Sequence, residues 1–299
     1  MDKFQSPLRY PGGKNALADY FEIVLKQNLL VGTHLYEPYA GGASISLAML
    51  SRDVIAKATL VERDPLIYAF WKCVRFQVEE LCERLLRLRI SLATWKKFQK
   101  YLDPNALDKY PLIELAVAGL FFNRTNFSGI LDAGPIGGMN QISDYKIDCR
   151  FNRQRIVELI KAIATLGSRL VVVFGDALQY LRRAEQRLLA EHAVAYLDPP
   201  YLLQGPRLYR YSYKRNEHQA IADLVSQAQY SWIVSYDNHP YIRRLFNGQR
   251  IVPISLNYAV KESRKADELL ISNIRLSKPI YVQSSSSAER SPARTRAIG

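Results

Sequence analysis

Short apolar runs recur near both ends of the chain and alternate with longer amphipathic segments. Runs of about five apolar residues that stop at Gly, Pro or Asp are typical of strands buried on both faces of a parallel sheet. The segments between the runs repeat apolar positions every three to four residues, as amphipathic helices do. The predicted strands are residues 34–37, 58–62, 169–174, 193–197, 231–236, 250–256 and 268–275. This alternation predicts an α/β fold with a mainly parallel sheet.

The alternation stops in the middle of the chain, between residues 73 and 164. This region is rich in Arg and Lys, and its apolar positions keep the helical period. The helices predicted here are residues 78–92, 94–101 and 111–122. A segment that extends to Ile147 follows them, and its Gly, polar and aromatic residues are typical of a loop or a small hairpin.

An interruption of this kind in an α/β sheet predicts an inserted domain that binds the substrate. The predicted boundaries are 1–72 and 165–277 for a discontinuous catalytic domain, 73–164 for the insertion and 278–299 for a tail. The tail is basic, rich in Ser and contains Pro, which is a composition typical of disordered chains.

The predicted strand at 193–197 ends in Asp198, Pro199, Pro200 and Tyr201. The two prolines prevent a helix from following, so Asp198 is fixed at the carboxyl end of a strand, where open α/β sheets bind ligands. Asp198 and the carbonyl of Pro199 can each accept a hydrogen from an exocyclic amino group, and Tyr201 can stack on the ring that carries it. These three residues are the predicted catalytic residues. The alternative is that Asp-Pro only forms the turn after a strand.

A glycine turn follows the first predicted strand and precedes a helix. Gly41 and Gly42 let a ligand approach the backbone, and the helix N-terminus favours a carboxylate. The turn lacks a full G-x-G-x-x-G pattern, which argues against a dinucleotide. Asp64, 22 residues after Gly42, is spaced as an acid that binds ribose hydroxyls, or it caps the next helix. Asp176, after the third strand, binds an adenine amino group or is likewise a cap. The pattern predicts an adenosine-containing cofactor.

The formal net charge of +13 predicts a polyanionic partner, because Lys and Arg next to phosphates release counterions. A merely basic soluble protein is the alternative. Residues 201–215 interleave tyrosines with Arg and Lys and show no apolar periodicity. Such a segment is typical of a loop on which bases stack and with which phosphates pair, and Tyr209 and Lys214 are its predicted contacts.

The composition, 48% hydrophobic and 23% charged residues, is that of an ordinary soluble globular protein. No apolar run is long enough to cross a bilayer, and the first residues do not form a secretory signal, so no membrane contact is expected. The three cysteines lack metal-type spacing and predict reduced thiols in a cytoplasmic protein. The four histidines show no metal-binding pattern, so no metal is predicted.

Several segments, in the right order between residues 6 and 276, resemble the Dam-type DNA adenine-N6 methyltransferases. Residues 9–14, Arg-Tyr-Pro-Gly-Gly-Lys, resemble the amino-terminal cofactor loop of that family, and residues 37–44 resemble its glycine motif. Residues 198–201 are similar to its amino-methylating motif, and residues 263–270 to its closing signature. The insertion also lies between the same elements as in the family.

The resemblance implies a Rossmann-like S-adenosylmethionine-dependent methyltransferase sheet with an inserted, mainly helical DNA-recognition domain. It implies S-adenosylmethionine as methyl donor, S-adenosylhomocysteine as product and an adenine in DNA as acceptor. The implied cofactor-binding residues are Tyr10, Lys14, Glu37, Gly41, Gly42, Asp64, Asp176 and Asp198. The predicted DNA-binding residues are Arg124, Asn126, Tyr209, Lys214, Arg264 and Lys265.

Other specificities stay open at this point. Residues 131–138 differ from the recognition hairpin of the GATC-methylating members, so the sequence does not predict GATC as the recognised site. Cytosine-N4 and RNA adenine methylation are alternatives because the same motif polarises any exocyclic amine, and a catalytically silent nucleic-acid-binding relative is another. DNA is the expected partner, its target base flipped out of the stack. Restriction or defence components are candidate partners.

Overall fold

The computed structural model describes residues 3–9, 17–202, 210–211, 213–257 and 265–277. The strands are β1 His34–Glu37, β2 Lys57–Glu62, β3 Leu170–Phe174, β4 Val194–Leu197, β5 Ser231–Asp237, β6 Arg250–Asn257 and β7 Lys265–Ser272. The α-helices are α1 Ala18–Gln27, α2 Ser44–Ser51, α3 Pro65–Phe76, α4 Val78–Arg87, α5 Leu92–Phe98, α6 Ala106–Lys109, α7 Leu112–Thr125, α8 Arg153–Ala164, α9 Ala177–Ala190, α10 Arg215–Gln227 and α11 Pro240–Leu245. Each predicted strand is therefore present, and the predicted tail at 278–299 lies outside the described residues.

The strands form one sheet in the order β3-β2-β1-β4-β5-β7-β6. β1 to β5 pair in parallel, whereas β7 runs antiparallel between β5 and β6. This is the sheet of the Rossmann-like methyltransferases, so the predicted fold class is confirmed. The strand order reverses between β1 and β4, and open α/β sheets bind their ligands at the carboxyl ends of the strands at such a point.

Helices cover both faces of the sheet. Side chains from α1, α2, α3 and α7 form one hydrophobic cluster, and side chains from α9, α10 and α11 form the other. The buried strand β4 contributes to both, with Tyr196 in the first cluster and Ala195 and Leu197 in the second, because successive residues of a strand point to opposite faces. Within the described ranges, no helix combines the length and apolarity needed to span a membrane.

In the insertion, α7 packs directly on α3. A Cβ atom on Gly119 of α7 would lie 2.7 Å from the carbonyl oxygen of Leu66 in α3, so glycine is required for this close approach. The first hydrophobic cluster contains side chains from α3 together with side chains from α4, α7 and α8. The core of the insertion is thus continuous with that of the sheet, and the domain boundaries given above stay a prediction.

Two predicted helix boundaries in the insertion are wrong. The helix predicted at 78–92 ends at Arg87, because Leu88 is extended and Ser91 caps a new helix by accepting a hydrogen bond from the backbone N–H of Thr94 at 3.2 Å. The helix predicted at 111–122 continues to Thr125. Its polar last turn has the composition of a loop, but Asn123 and Arg124 bond to the amino-terminal segment and Thr125 donates to the carbonyl of Phe121 within the helix.

Candidate active site

Asp198 lies directly after β4, the strand beside the topological switch. Pro199 and Pro200 are buried, whereas Asp198 and Tyr201 are partly exposed. The acid and the aromatic ring therefore reach the surface at the carboxyl end of the sheet while the prolines fix the backbone between them. Ser235 of β5 donates a hydrogen bond to Asp198 Oδ1 at 2.5 Å. The structure thus brings the predicted catalytic residues together at one corner.

The chain that leaves this corner is attached to the end of β5. The backbone N–H of Leu202 donates to Asp237 Oδ1 at 3.4 Å. The rings of Tyr201 and Tyr236 lie 6.5 Å apart between centroids, tilted by 38°. The last two residues of β5, Tyr236 and Asp237, therefore support the Tyr201 ring and the backbone of Leu202.

The glycine turn after β1 is anchored on both sides. The N–H of Gly41 donates to Glu62 Oε2 at 3.0 Å, and its carbonyl accepts from Trp71 Nε1 at 2.8 Å. Gly41 has a φ of 44°, a left-handed conformation that glycine adopts without strain. Gly42, next to it, is partly exposed. The turn therefore holds its backbone in a fixed position beside the end of β2.

Glu37, the last residue of β1, caps α2 from outside the helix. Only 3% of Glu37 is exposed, and its Oε2 accepts from the backbone N–H of Ser46 at 3.1 Å. Since Ala43 at the start of α2 offers no side-chain cap, Glu37 satisfies one of the unpaired N–H groups there. Burial, with a smaller contribution from the charge of Asp198, raises the pKa of Glu37 to about 8. Its predicted contact with the cofactor stays a prediction.

We expect Glu37→Gln to be more stable than the wild type at alkaline pH. Because the pKa of Glu37 in the folded protein is about 8, the folded protein binds more protons than the unfolded chain between pH 4.5 and about 8. Wild-type stability should therefore fall as the pH rises through this window. Glutamine keeps an acceptor for Ser46 and has no charge to lose. Urea unfolding at about pH 5 and about pH 9 should show a decline that is about 2–4 kcal/mol smaller in the variant.

The exposed residue Glu79, with 83% of its side chain accessible, provides the matched control. Glu79→Gln, measured in parallel, controls for the loss of one carboxylate from the chain. Parallel curves for Glu37→Gln and the wild type would mean that Glu37 is ionised in the folded protein, contrary to the expectation.

Asp64 is the N-cap of α3. Its Oδ1 accepts from the backbone N–H groups of Leu66 at 2.8 Å and Ile67 at 3.4 Å. Its Oδ2 pairs with Arg210 at 3.2 Å, and the two side chains are only 8% and 13% exposed. Arg210 also donates to the carbonyl of Leu102. The cap interpretation of Asp64 is confirmed, whereas its contact with a ribose stays a prediction.

Glu62, the last residue of β2, is an acidic residue that the sequence analysis missed. Its Oε2 accepts from Gly41 N–H, and its Oε1 accepts from the N–H of Asp64 at 2.8 Å. Burial raises the pKa of Glu62 to about 7. The signal was available in the sequence, because Glu62 ends the second strand and the acid that binds ribose in such folds follows that strand. Glu62 lies between the glycine turn and the corner that leads into α3.

Asp176 is the N-cap of α9. Its Oδ1 accepts from the N–H of Gln179 at 3.1 Å, and its Oδ2 lies 3.9 Å from Arg63 Nη1. The side chain is 26% exposed. The cap interpretation is again confirmed, and the contact of Asp176 with an adenine amino group stays a prediction.

The structure places Asn126, a predicted DNA contact, in the interior of the protein, and its contact with DNA stays a prediction. Asn126 is fully buried, and its Oδ1 accepts from Trp95 Nε1 at 2.7 Å. Its Nδ2 donates to the carbonyls of Ile130 at 3.1 Å and Leu131 at 2.7 Å. Both amide hydrogens are thus engaged within the protein, so Asn126 shapes the loop after α7.

Arg124 is partly buried and supports the amino-terminal segment. Its Nε donates to the carbonyl of Pro7 at 2.6 Å. Burial, followed by the nearby charge of Arg9, lowers the pKa of Arg124 to about 10. The predicted contact of Arg124 with DNA stays a prediction.

Asn123 joins the last turn of α7 to Arg9, the first residue of the predicted cofactor loop. Its Oδ1 accepts from the N–H of Arg9 at 2.7 Å, and its Nδ2 donates to the carbonyl of Arg9 at 2.7 Å and to that of Gly129 at 3.0 Å. A Cβ atom on Gly129 would collide with the carbonyl of Arg9, and Gly129 has a φ of 80°. One buried amide therefore holds three segments together.

The remaining predicted residues are placed as follows. Lys214 is exposed and precedes α10, where its backbone N–H donates to Glu217 Oε2 at 2.8 Å. Lys265 is the first residue of β7. Four predicted residues lie outside the described ranges: Tyr10, Lys14, Tyr209 and Arg264. No group of three or more His, Cys, Asp or Glu residues in the described part of the chain is arranged to hold a metal ion.

These features define the class of the protein. A sheet of this order, a glycine turn after its first strand and an Asp-Pro-Pro-Tyr corner after β4 are those of a Rossmann-like methyltransferase that modifies an amino group. Residues 10–260 match the family described as D12 class N6 adenine-specific DNA methyltransferase, and the chain belongs to this family. It is an adenine-specific DNA methyltransferase, so the resemblance stated from the sequence and the reaction that it implies are confirmed.

The chain is also similar to individual methyltransferases. The chain is similar to the Type II methyltransferase M.MjaIII of Methanocaldococcus jannaschii, with 24% identity over 208 residues that cover 65% of this chain and 68% of that protein. Among solved structures it is similar to the rRNA methyltransferase aviRa from Streptomyces viridochromogenes, with a TM-score of 0.37 and 14% sequence identity over 88% of this chain and 85% of that chain. The roles of the individual site residues stay predictions.

Proposed function

We propose that this protein transfers a methyl group from S-adenosylmethionine to N6 of an adenine flipped out of DNA at a specific sequence. In this proposal Asp198, Pro199 and Tyr201 act on the target base. The observation that carries the proposal is the position of Asp198, at the end of β4 next to the topological switch and held by Ser235. A carboxylate fixed there can meet a base on one side and a donor over the glycine turn on the other.

The target adenine has to leave the duplex, because its N6 faces the partner base within the stack. Extrusion of one base costs a few kcal/mol. Stacking of the base on Tyr201 supplies about 1–3 kcal/mol, and hydrogen bonds at the Asp198 corner supply more. The partly exposed ring of Tyr201, supported by Tyr236, is suited to this stacking.

At the Asp198 corner the protein can change the shape of the target amino group. Asp198 and the carbonyl of Pro199 each accept one N6 hydrogen, which turns the nitrogen lone pair out of conjugation with the ring. S-Adenosylmethionine, when bound, supplies an electrophilic methyl group on a sulfonium, and the electrons of the broken bond stay on sulfur. The surplus proton of the methylated nitrogen leaves along its hydrogen bond to Asp198. Most of the acceleration comes from holding the groups in line.

The residues near the switch fit such a donor. The fixed turn at Gly41 offers backbone close to the ends of β1 and β2. Glu62 and Asp176 place carboxylates at the ends of β2 and β3, where ribose hydroxyls and an adenine amino group find acceptors. Tyr10 and Lys14 join them in the proposal by family resemblance alone.

The loop after α7 supports the proposed contact with DNA. Phe127 is 69% exposed and Tyr145 is 54% exposed, and Arg150 lies 5.8 Å from the centre of the Tyr145 ring. Exposed aromatic rings beside cations are suited to stacking bases and pairing with phosphates. The similarity to a Type II methyltransferase supports a role beside a restriction endonuclease that cuts the same sequence. A cytoplasmic location stays a prediction.

Product analysis tests the proposed reaction. The purified protein is incubated with tritium-labelled S-adenosylmethionine and either bacterial genomic DNA or total bacterial RNA, and the nucleic acid is then digested to nucleosides. The label is expected in N6-methyldeoxyadenosine, and Asp198→Ala under the same conditions should give only background. Label in N4-methyldeoxycytidine, or in RNA but not in DNA, would contradict the proposal.

A further inference from the structure

The carboxylate of Asp198 lies at the end of two buried hydroxyl groups that are hydrogen-bonded to each other. Ser235 Oγ lies 2.5 Å from Asp198 Oδ1, and Tyr196 Oη lies 3.0 Å from Ser235 Oγ. Ser235 and Tyr196 are both completely buried, so neither can touch a substrate. Their hydroxyls connect the interior of the sheet to the carboxylate at its edge.

The register of the sheet explains why these three side chains meet. In the parallel pairing of β4 with β5, Tyr196 lies beside Ile233 and Leu197 lies beside Val234. One step further along the same register places Asp198 beside Ser235. Tyr196 and Asp198 are two residues apart and so lie on the same face. The contact therefore follows from strand pairing and belongs to the framework of the fold.

The direction of the hydrogen bonds follows from the chemistry of the groups. An ionised carboxylate only accepts, so the hydroxyl of Ser235 donates its single hydrogen to Asp198. Tyr196 must then be the donor to Ser235. Burial and the charge of Asp198 raise the pKa of Tyr196 well above its usual value, so the phenol keeps the hydrogen that it donates. The other acceptor near Ser235, the carbonyl of Leu197, is 3.5 Å away.

We propose that Ser235 and Tyr196 are positioning residues that set the rotation of the Asp198 carboxylate toward the target amino group. The proposal rests on the catalytic role proposed for Asp198. The bond between Cβ and Cγ of an aspartate has a broad torsional preference, so the side chain alone does not fix the plane of its oxygens. A hydrogen bond to Oδ1 from a buried framework residue fixes it. Correct alignment is what methyl transfer demands of the protein.

Steady-state kinetics and binding measurements on Ser235→Ala test this role. We expect kcat to fall by about 10- to 100-fold, because a misaligned carboxylate still binds the base but no longer holds the amino group in line. The KM for DNA and the Kd for S-adenosylmethionine should change by less than about twofold. Tyr196→Phe should lower kcat by about 2- to 10-fold, since Ser235 can still donate without it.

The double variant separates positioning from a general loss of stability. If Tyr196 acts only through Ser235, Ser235→Ala combined with Tyr196→Phe should have the kcat of Ser235→Ala alone. Ser235→Thr, which keeps the hydroxyl, should restore most of the activity. Ser272 provides a matched control, because it is also buried in the sheet and its hydroxyl donates to the carbonyl of Trp232. Ser272→Ala should lower the Tm and leave kcat unchanged.

Two results would overturn the proposal. One is a folded Ser235→Ala variant with wild-type kcat, and the other is a double variant whose losses simply multiply. Asp198→Ala, assayed in parallel, distinguishes a failure of the positioning role of Ser235 from a failure of the catalytic role of Asp198. If Asp198→Ala is inactive while Ser235→Ala is fully active, only the positioning role is lost. If Asp198→Ala is itself fully active, the catalytic assignment fails.

Discussion

Replacing Asp198 with alanine is expected to lower kcat by at least about 1,000-fold while leaving most of the affinity for DNA. The side chain removed is the acceptor that reshapes the target amino group and takes its surplus proton, and positioned groups of this kind contribute about 10²- to 10⁴-fold. DNA affinity comes mainly from phosphate contacts, which Asp198 does not make. Steady-state methylation assays measure kcat, and fluorescence anisotropy with labelled DNA measures the affinity for DNA.

Asp198→Asn, measured beside Asp198→Ala, separates the loss of the negative charge from the loss of the hydrogen-bond acceptor. Its side-chain carbonyl can still accept one N6 hydrogen, and its shape is nearly that of aspartate, so its kcat should lie between those of Asp198→Ala and the wild type. A wild-type rate for Asp198→Ala would remove the carboxylate from the mechanism. Equal losses of rate and of DNA affinity would show instead that the corner is needed mainly to bind DNA.

Glu62→Ala is expected to weaken binding of S-adenosylmethionine by about 10- to 100-fold, more than Asp64→Ala does. Hydrogen bonds to a charged group are worth about 1.5–3 kcal/mol, and Glu62 lies beside the glycine turn at the end of β2. Each oxygen of Glu62 accepts a backbone N–H, but the residue is partly exposed, whereas Asp64 is buried with its oxygens engaged by α3 and Arg210. Its removal should therefore appear mainly as a loss of stability, which exceeds the cost of about 1 kcal/mol for a lost N-cap because the nearly buried Arg210 also loses its carboxylate partner.

Isothermal titration with the cofactor and thermal unfolding, performed on both variants, separate the two roles. Glu62→Gln keeps an acceptor for the N–H of Gly41 and tests whether the turn alone accounts for the loss. If Asp64→Ala loses more cofactor affinity than Glu62→Ala at equal Tm, the acid that binds the ribose is Asp64, as the spacing in the sequence predicts.

The strands and the Asp198 corner could be predicted because their signals are local. A strand buried on both faces appears in the sequence as an uninterrupted apolar run. The prolines of Asp-Pro-Pro-Tyr end such a strand through local backbone restrictions, without a contact to a distant segment. The choice between Asp64 and Glu62 could not be made this way, since two acids that are two residues apart have nearly the same spacing from the glycine turn. Their roles separate only in the folded protein, where α3 and Arg210 engage the two oxygens of the buried Asp64 and Glu62 stays partly exposed.

Contacts between distant segments could not be predicted from the sequence. Asn123 bonds to the backbone of Arg9, 114 residues away, and Asn126 accepts from Trp95, 31 residues away. Polar residues at a helix end give the same sequence pattern whether they face solvent or form hydrogen bonds with buried backbone groups. Ser235 shows the same limit, because its position beside Asp198 depends on strand register across 37 residues.

The hydrogen bonds between Asn123 and Arg9 limit which segments can be exchanged between members of this family to change DNA specificity. A chimaera that imports a foreign recognition segment starting after α7 keeps the native Asn123, yet it brings a new residue to the position of Gly129. Any side chain there would collide with the carbonyl of Arg9. A chimaera should therefore retain glycine at position 129. Alternatively, it should exchange the amino-terminal segment that contains Arg9 together with the loop after α7.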